Sequence, residues 1–198
     1  ATSGTPGPVH IDIPSPEITK QAPPLVGEPK FLLPERVSIE PDRKALRKPL
    51  DMISKARKPI ILAGLGVYWD KASAELVAFA EKLGAPILTT SKCKGAIPED
   101  HELSAGCIIG GTIERELVNQ SDLIITIGLD IVELQPKPWP YTLPVLSLAN
   151  VPSLDCLIPF DMEMVGDIKL IVHGLTEFCE SGQGWGLKAA SDFRIAVS

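Results

Sequence analysis

Nothing in this sequence approaches the roughly 20 consecutive apolar residues that a membrane-spanning helix requires. Nor does it open like a secretory leader, because Ala1-Thr2-Ser3-Gly4 is small and polar, with no basic start and no apolar core. An excess of basic residues is also missing. The net charge is −6, which argues against nucleic acid or an anionic membrane as the main partner, since either needs a positive surface. The four cysteines (Cys93, Cys107, Cys156 and Cys179) form no Cys-x-x-Cys pair, and the three histidines are scattered. That spacing excludes the common zinc arrangements and fits free thiols in a reducing cytoplasm. Catalytic signatures are absent as well. There is no Gly-x-Ser-x-Gly nucleophile turn, no local Cys/His pair and no pair of carboxylates on one helix face.

What is present is an alternation of short apolar runs with helical patterns. The run Lys58-Pro59-Ile60-Ile61-Leu62-Ala63 ends in Gly64-Leu65-Gly66 and predicts a strand over 59–63 that turns into a helix. A helix is expected over 71–83, with Asp70 as its N-cap, Leu76, Val77, Ala80 and Leu83 on its apolar face, and Gly84 as its C-cap. Further strands are expected at 86–90, 123–127, 145–148 and 162–165. Helices are expected near 112–120 and 167–180, and another after Pro41, interrupted or split at Pro49. Ser91 to Gly111 reads as a long loop. Continuous apolar strands alternating with helices indicate a three-layer α/β fold, a Rossmann-like parallel sheet with helices on both faces.

The two ends read differently. Gly7-Pro8-Val9-His10-Ile11-Asp12-Ile13-Pro14 alternates like a strand but has no neighbour before it to pair with. Six prolines between residues 14 and 34 favour an extended linker over a helix. Glycines at 182, 184 and 186 read as a second linker. Both ends are therefore expected to continue into a longer polypeptide.

Candidate functional residues gather where strands end. Gly64 and Gly66 permit a tight turn and a close approach by phosphate. Position 69, where a full dinucleotide fingerprint carries its third glycine, is Trp, and the second strand ends in Thr89-Thr90-Ser91 with no ribose-binding acid. Lys92 and Lys94 flank Cys93 at the same edge, where they meet a phosphate, an acyl group or solvent. Gly128 and Asp130 end the 123–127 strand, as ligand-binding or as turn residues. Trp139, among prolines, covers either a pocket or its own sheet.

Five stretches in register resemble the central domain of thiamine-diphosphate-dependent enzymes of the acetolactate synthase type. They are Gly7–Pro14, which resembles the last strand of the family's pyrimidine-binding domain; Pro59–Val67, which resembles the opening of the central domain; Gly95-Ala96-Ile97-Pro98-Glu99-Asp100-His101-Glu102-Leu103 with Gly106; Ser121-Asp122-Leu123-Ile124 to Gly128; and Gly166-Asp167-Ile168-Lys169. The resemblance implies the fold class of deoxyhypusine synthase-like NAD/FAD-binding domains. It also implies this organisation: 1–14 the end of a pyrimidine-binding domain, 15–38 a linker, 39–181 the central domain, and 182–198 a linker towards a diphosphate-binding domain.

In such enzymes two outer domains hold thiamine diphosphate and magnesium between subunits. One supplies a glutamate that activates the cofactor, the other a Gly-Asp-Gly…Asn motif. Neither motif occurs in this sequence. The chain is therefore expected to be inert alone, while its parent, a cytoplasmic dimer or tetramer, acts on 2-oxo acids as a transferase or lyase.

Central domains of the family hold FAD, an ADP-containing molecule, or nothing. This chain has Leu129-Asp130-Ile131-Val132-Glu133 where flavin-binding members have Arg and Asp. It has Ile109-Gly110-Gly111 in place of His-Gly, and Ala149-Asn150 in place of an acidic pair. These departures argue against flavin and leave Gly64, Gly66 and Gly128 as the cofactor-binding positions carried over. An independent flavin- or nucleotide-binding module, and a pure interaction module built on Trp139 and the prolines, are the alternatives.

Overall fold

A computed structural model describes residues 8–21, 40–110, 112–134, 138–153 and 158–197 of the chain. It divides into two compact units, Ala1–Val37 and Ser38–Ser198. In the first, residues 8–14 form neither helix nor strand, and Ser15–Ile18 forms one helical turn, α1. That turn corrects the expectation of a helix-free linker. Pro16 stands in its first turn, where its missing N–H costs nothing, and the Thr19 hydroxyl donates to the Pro16 carbonyl. The rest of the expected linker, 22–38, lies outside the described residues.

The second unit is a six-stranded sheet, every adjacent pair of which is parallel. Its strands are β1 (Pro59–Ala63), β2 (Ile87–Thr90), β3 (Ser104–Ile108), β4 (Leu123–Ile127), β5 (Val145–Ala149) and β6 (Met162–Val165), in the order β3-β2-β1-β4-β5-β6. Alternation along the strands loads both faces. Ile61, Ala63, Ile87, Ile125, Ile127, Leu146 and Leu148 point into one core. Ile60, Leu62, Leu88, Ile124 and Val145 point into the other. These strands are buried nearly end to end because neither face meets water; Thr89, Thr90, Thr126 and Ser147 are the polar residues buried among the apolar ones.

Helices α2 (Arg47–Lys55), α3 (Gly66–Trp69), α4 (Ser73–Leu83) and α6 (Ile168–Phe178) supply side chains to the first core. Helix α5 (Ile113–Val118) and helix α7 (Trp185–Val197) cover the second. The three-layer expectation stands. In α4 the buried stripe is Leu76, Phe79, Ala80 and Leu83, with Phe79 fully buried where Val77 is expected and Val77 only partly so; Gly84 ends the helix at φ +58°, as the sequence predicts. Pro49 neither kinks nor splits α2, because it falls in the helix's first turn, where no intrahelical N–H is needed.

Three local expectations are overturned. The loop after β2 contains a strand, β3. Its Ser-Ala-Gly-Cys-Ile sequence has little intrinsic strand preference, and it forms because β2 offers it an open edge. Residues 182–198 are not a linker throughout, since α7 packs on the sheet. The Trp185 indole N–H donates to the Pro59 carbonyl at 2.8 Å, and Arg194 Nη1 donates to the carbonyls of His101, Glu102 and Ser104. The glycine at 182 serves close approach rather than flexibility, because a Cβ there would lie 1.8 Å from the Leu83 carbonyl oxygen.

Finally, Asp70 is not the N-cap of α4, which begins after Ala72. Its buried carboxylate instead accepts the Ile168 N–H at 2.9 Å and the Asn150 side-chain amide at 3.4 Å, so it ties the turn after α3 to the start of α6. Asp167 caps the same helix by accepting the Leu170 N–H. Removing one acceptor from a buried N–H is expensive. Asp70→Ala is expected to lower unfolding free energy by about 1–3 kcal/mol, read as a shift in urea midpoint without a change in slope, with Asp70→Asn milder.

Candidate functional site

Strand order reverses between β1 and β4, because β2 and β3 lie to one side and β5 and β6 to the other. The crevice beyond the carboxyl ends of those two strands is where open parallel sheets receive ligands. Gly64, Gly66 and Gly128 meet there, and their backbones touch. The Gly66 N–H donates to the Gly128 carbonyl at 2.9 Å, the Gly64 N–H to Ile127, and the Gly128 N–H to Leu148. Gly128 has φ +61°, and a Cβ on it would lie 2.7 Å from the Val67 nitrogen. A Cβ on Gly64 would lie 2.5 Å from the Gly128 carbonyl oxygen. These glycines let one loop backbone lie on another.

The donors beside them are engaged by a residue that sequence reasoning did not single out. After β4 the chain makes a single 3₁₀ turn, Ile131–Glu133, which carries the half-buried Glu133 carboxylate back over the crevice. Both its oxygens accept the Leu65 N–H at 3.0 Å, Oε1 accepts the Asp130 N–H at 3.0 Å, and Oε2 accepts the Thr90 hydroxyl at 2.5 Å. Thr90 Oγ1 in turn accepts the Cys93 N–H at 3.2 Å. The ends of β1, β2 and β4 are thus tied through one carboxylate. Only the glutamate's spacing after Gly128 hints at this, and that spacing has no meaning until the turn is known.

The other candidates disperse. Lys92 is exposed. Lys94 pairs with Glu99 at 3.0 Å, a contact that raises its pKa, while its carbonyl accepts the Tyr68 hydroxyl. Asp130 is exposed and accepts the Val132 N–H, as a turn aspartate does. Thr89, Lys94, Gly106, Cys107 and Arg194 line a cleft of about 320 Å³ beside the edge strand β3, and Gly64, Gly66 and Gly128 do not. His101 is held by Glu81 at 3.2 Å, and His173 is exposed on α6. Among the described residues no three His, Cys, Asp or Glu side chains gather as metal ligands.

This architecture matches known proteins. Residues 46–175 match the family model described as thiamine pyrophosphate enzyme, central domain. The chain belongs to that family. The chain is 30% identical over 190 residues to the acetolactate synthase large subunit of Buchnera aphidicola subsp. Schizaphis graminum, covering 89% of this chain and 32% of that protein. It is 37% identical over 131 residues to the acetolactate synthase large subunit of Corynebacterium glutamicum, covering 65% and 21%. In fold it resembles the benzoylformate decarboxylase of Polynucleobacter necessarius, with a TM-score of 0.67 at 21% identity, covering 81% of this chain and 32% of that one. The chain spans about a third or less of the length of these proteins.

Two further features of the central domain concern its protonation. Trp139 and Tyr141 pack edge to face, with ring centroids 4.9 Å apart, against the second core, so Trp139 covers its own sheet. Burial, reinforced by the nearby Glu114, pushes the Tyr141 phenol up to about 12. Burial, with Glu133 and Cys107 beside it, pushes the Cys93 thiol from 9.0 up to about 12. Both groups ionise earlier in the unfolded chain, which therefore binds fewer protons at high pH. Stability is expected to be unaffected by these groups below pH about 9 and to fall as pH rises towards about 12. Denaturant midpoints across that range check it. At pH 8, buried Cys93 and Cys179 are expected to react with a maleimide more slowly than half-exposed Cys107, as peptide mass mapping will show.

Proposed function

We propose that this chain is the middle domain of an enzyme that uses thiamine diphosphate and magnesium to make or break a bond beside the carbonyl of a 2-oxo acid, as acetolactate synthases do. The observation that carries this reading is the 30–37% identity to acetolactate synthase large subunits across most of the chain. Bound thiamine diphosphate supplies the electron sink for that chemistry. The residues of this chain do not fit the cofactor. They include no Gly-Asp-Gly…Asn motif, and the loop donors at the β1/β4 crevice are engaged by Glu133. No step of the reaction is therefore assigned to them.

The role we infer for the domain is to fix the spacing of the outer domains. Its core covers both faces of the sheet, and α7 packs against it through Trp185 and Arg194. Gly64, Gly66 and Gly128 then serve the closure of the crevice rather than a cofactor. We place the parent in the cytoplasm as a homo-oligomer whose subunits share the thiamine diphosphate sites. Among the described residues no helix is long and apolar enough to cross a membrane. The family match does not favour an independent flavin- or nucleotide-binding module.

The test compares two proteins. The longer protein encoded by the parent reading frame is expected to consume pyruvate only with thiamine diphosphate and magnesium present. The 198-residue chain is expected to show no turnover and no binding of thiamine diphosphate by calorimetry. Turnover by the shorter chain, or cofactor-independent turnover by the longer one, overturns the reading.

A further inference from the structure

We propose that Glu133 is the resident anion of this domain: its carboxylate occupies the ligand seat at the β1/β4 switch point, and the domain accordingly takes no nucleotide or flavin there. The inference rests on the reading of the chain as a central domain, and it decides which kind of central domain this is.

The seat has the chemistry of an anion site. Its donors are two backbone N–H groups, Leu65 after β1 and Asp130 after β4, and the hydroxyl of Thr90 at the end of β2. Among the described residues no lysine or arginine pairs with Glu133. The negative charge is therefore held by oriented peptide dipoles and one hydroxyl, as a phosphate or an oxyanion is held in loop sites. A carboxylate with four donor contacts is amply satisfied, and evicting it would bare the same N–H groups.

The walls are shaped to this occupant. A Cβ on Gly64 would lie 2.7 Å from Glu133 Oε1 and 2.5 Å from the Gly128 carbonyl oxygen, so a side chain there would push the carboxylate aside and collide with the Gly128 backbone. The Gly66 N–H is already bonded to the Gly128 carbonyl, so the second glycine of the motif also has no donor to offer a ligand. A diphosphate entering this crevice would have to displace Glu133 and pry apart loops that are in backbone contact. Binding energy spent on that displacement is lost from affinity.

Three measurements on the 198-residue chain test the proposal. Calorimetric titration of the wild type with ADP, FAD and inorganic pyrophosphate is expected to show no saturable binding tighter than about 1 mM. Binding tighter than that by any of the three overturns the proposal while leaving the family assignment and the thiamine-diphosphate reading untouched. Glu133→Ala is expected to be destabilised and then selectively rescued, its melting temperature rising by about 3 °C in roughly 100 mM formate while the wild type does not move. A variant that formate leaves unmoved overturns the proposal.

Glu133→Gln keeps the side-chain shape without the charge and guards against a Glu133→Ala chain that fails to fold. In it the Leu65 and Asp130 amides are expected to exchange with solvent at least about 10-fold faster than in the wild type. Unchanged exchange means the carboxylate is not what holds them, and overturns the proposal.

Discussion

The carboxylate of Glu133 is the point through which the carboxyl edge of this domain is held. Three strands end within reach of it, and each delivers a donor: Leu65 from β1, Thr90 from β2 and Asp130 from β4. Parallel strands need long crossovers, so the loops at this edge join elements that are distant in sequence. The hydrogen bonds that Glu133 accepts from residues 65 and 90 span 68 and 43 positions. Around that knot the glycines at 64, 66 and 128 lie backbone on backbone, a contact that any side chain would prevent.

Other carboxylates do comparable work away from this edge. Asp122 accepts the N–H groups of Arg57 and Lys58 at 2.8 Å each and so aligns the entries of β1 and β4. Asp161 accepts the Val145 N–H at the start of β5. Asp70 joins the turn after α3 to α6. In each case a short acidic side chain meets backbone donors left over where a strand or helix begins, and the charge strengthens the bond. A chain with 25 acidic residues thus uses several of them to tie separate stretches of backbone together.

Much of the fold was legible because its signal is local. The boundaries of β1 and β4 coincide with the apolar runs that predict them, and Gly84 ends α4 in the left-handed conformation that glycine tolerates. The failures share a cause. β3 is Ser-Ala-Gly-Cys-Ile, and its strand state comes from the free edge of β2. α7 hides among glycines: Gly182 before it and Gly186 in its first turn meet Leu83 and Gly84, and glycines required by contact look the same in a sequence as glycines that confer flexibility. Asp70 has the composition of an N-cap for the helix next to it, yet it holds the first N–H of one that starts 98 residues away.

The amino-acid sequence by itself determined that this protein is a parallel α/β domain, because the alternation of apolar runs, glycine turns and helical stripes is a matter of near neighbours; its kinship to thiamine-diphosphate enzymes came from the resemblance of particular stretches. It also marked Gly64, Gly66 and Gly128 as a group. Only the tertiary structure shows what lies against the group. Whether a glycine makes room for a ligand or for another strand's backbone depends on what the fold brings opposite it. Here that is Gly128, whose backbone packs on Gly64 and Gly66, and the carboxylate of Glu133.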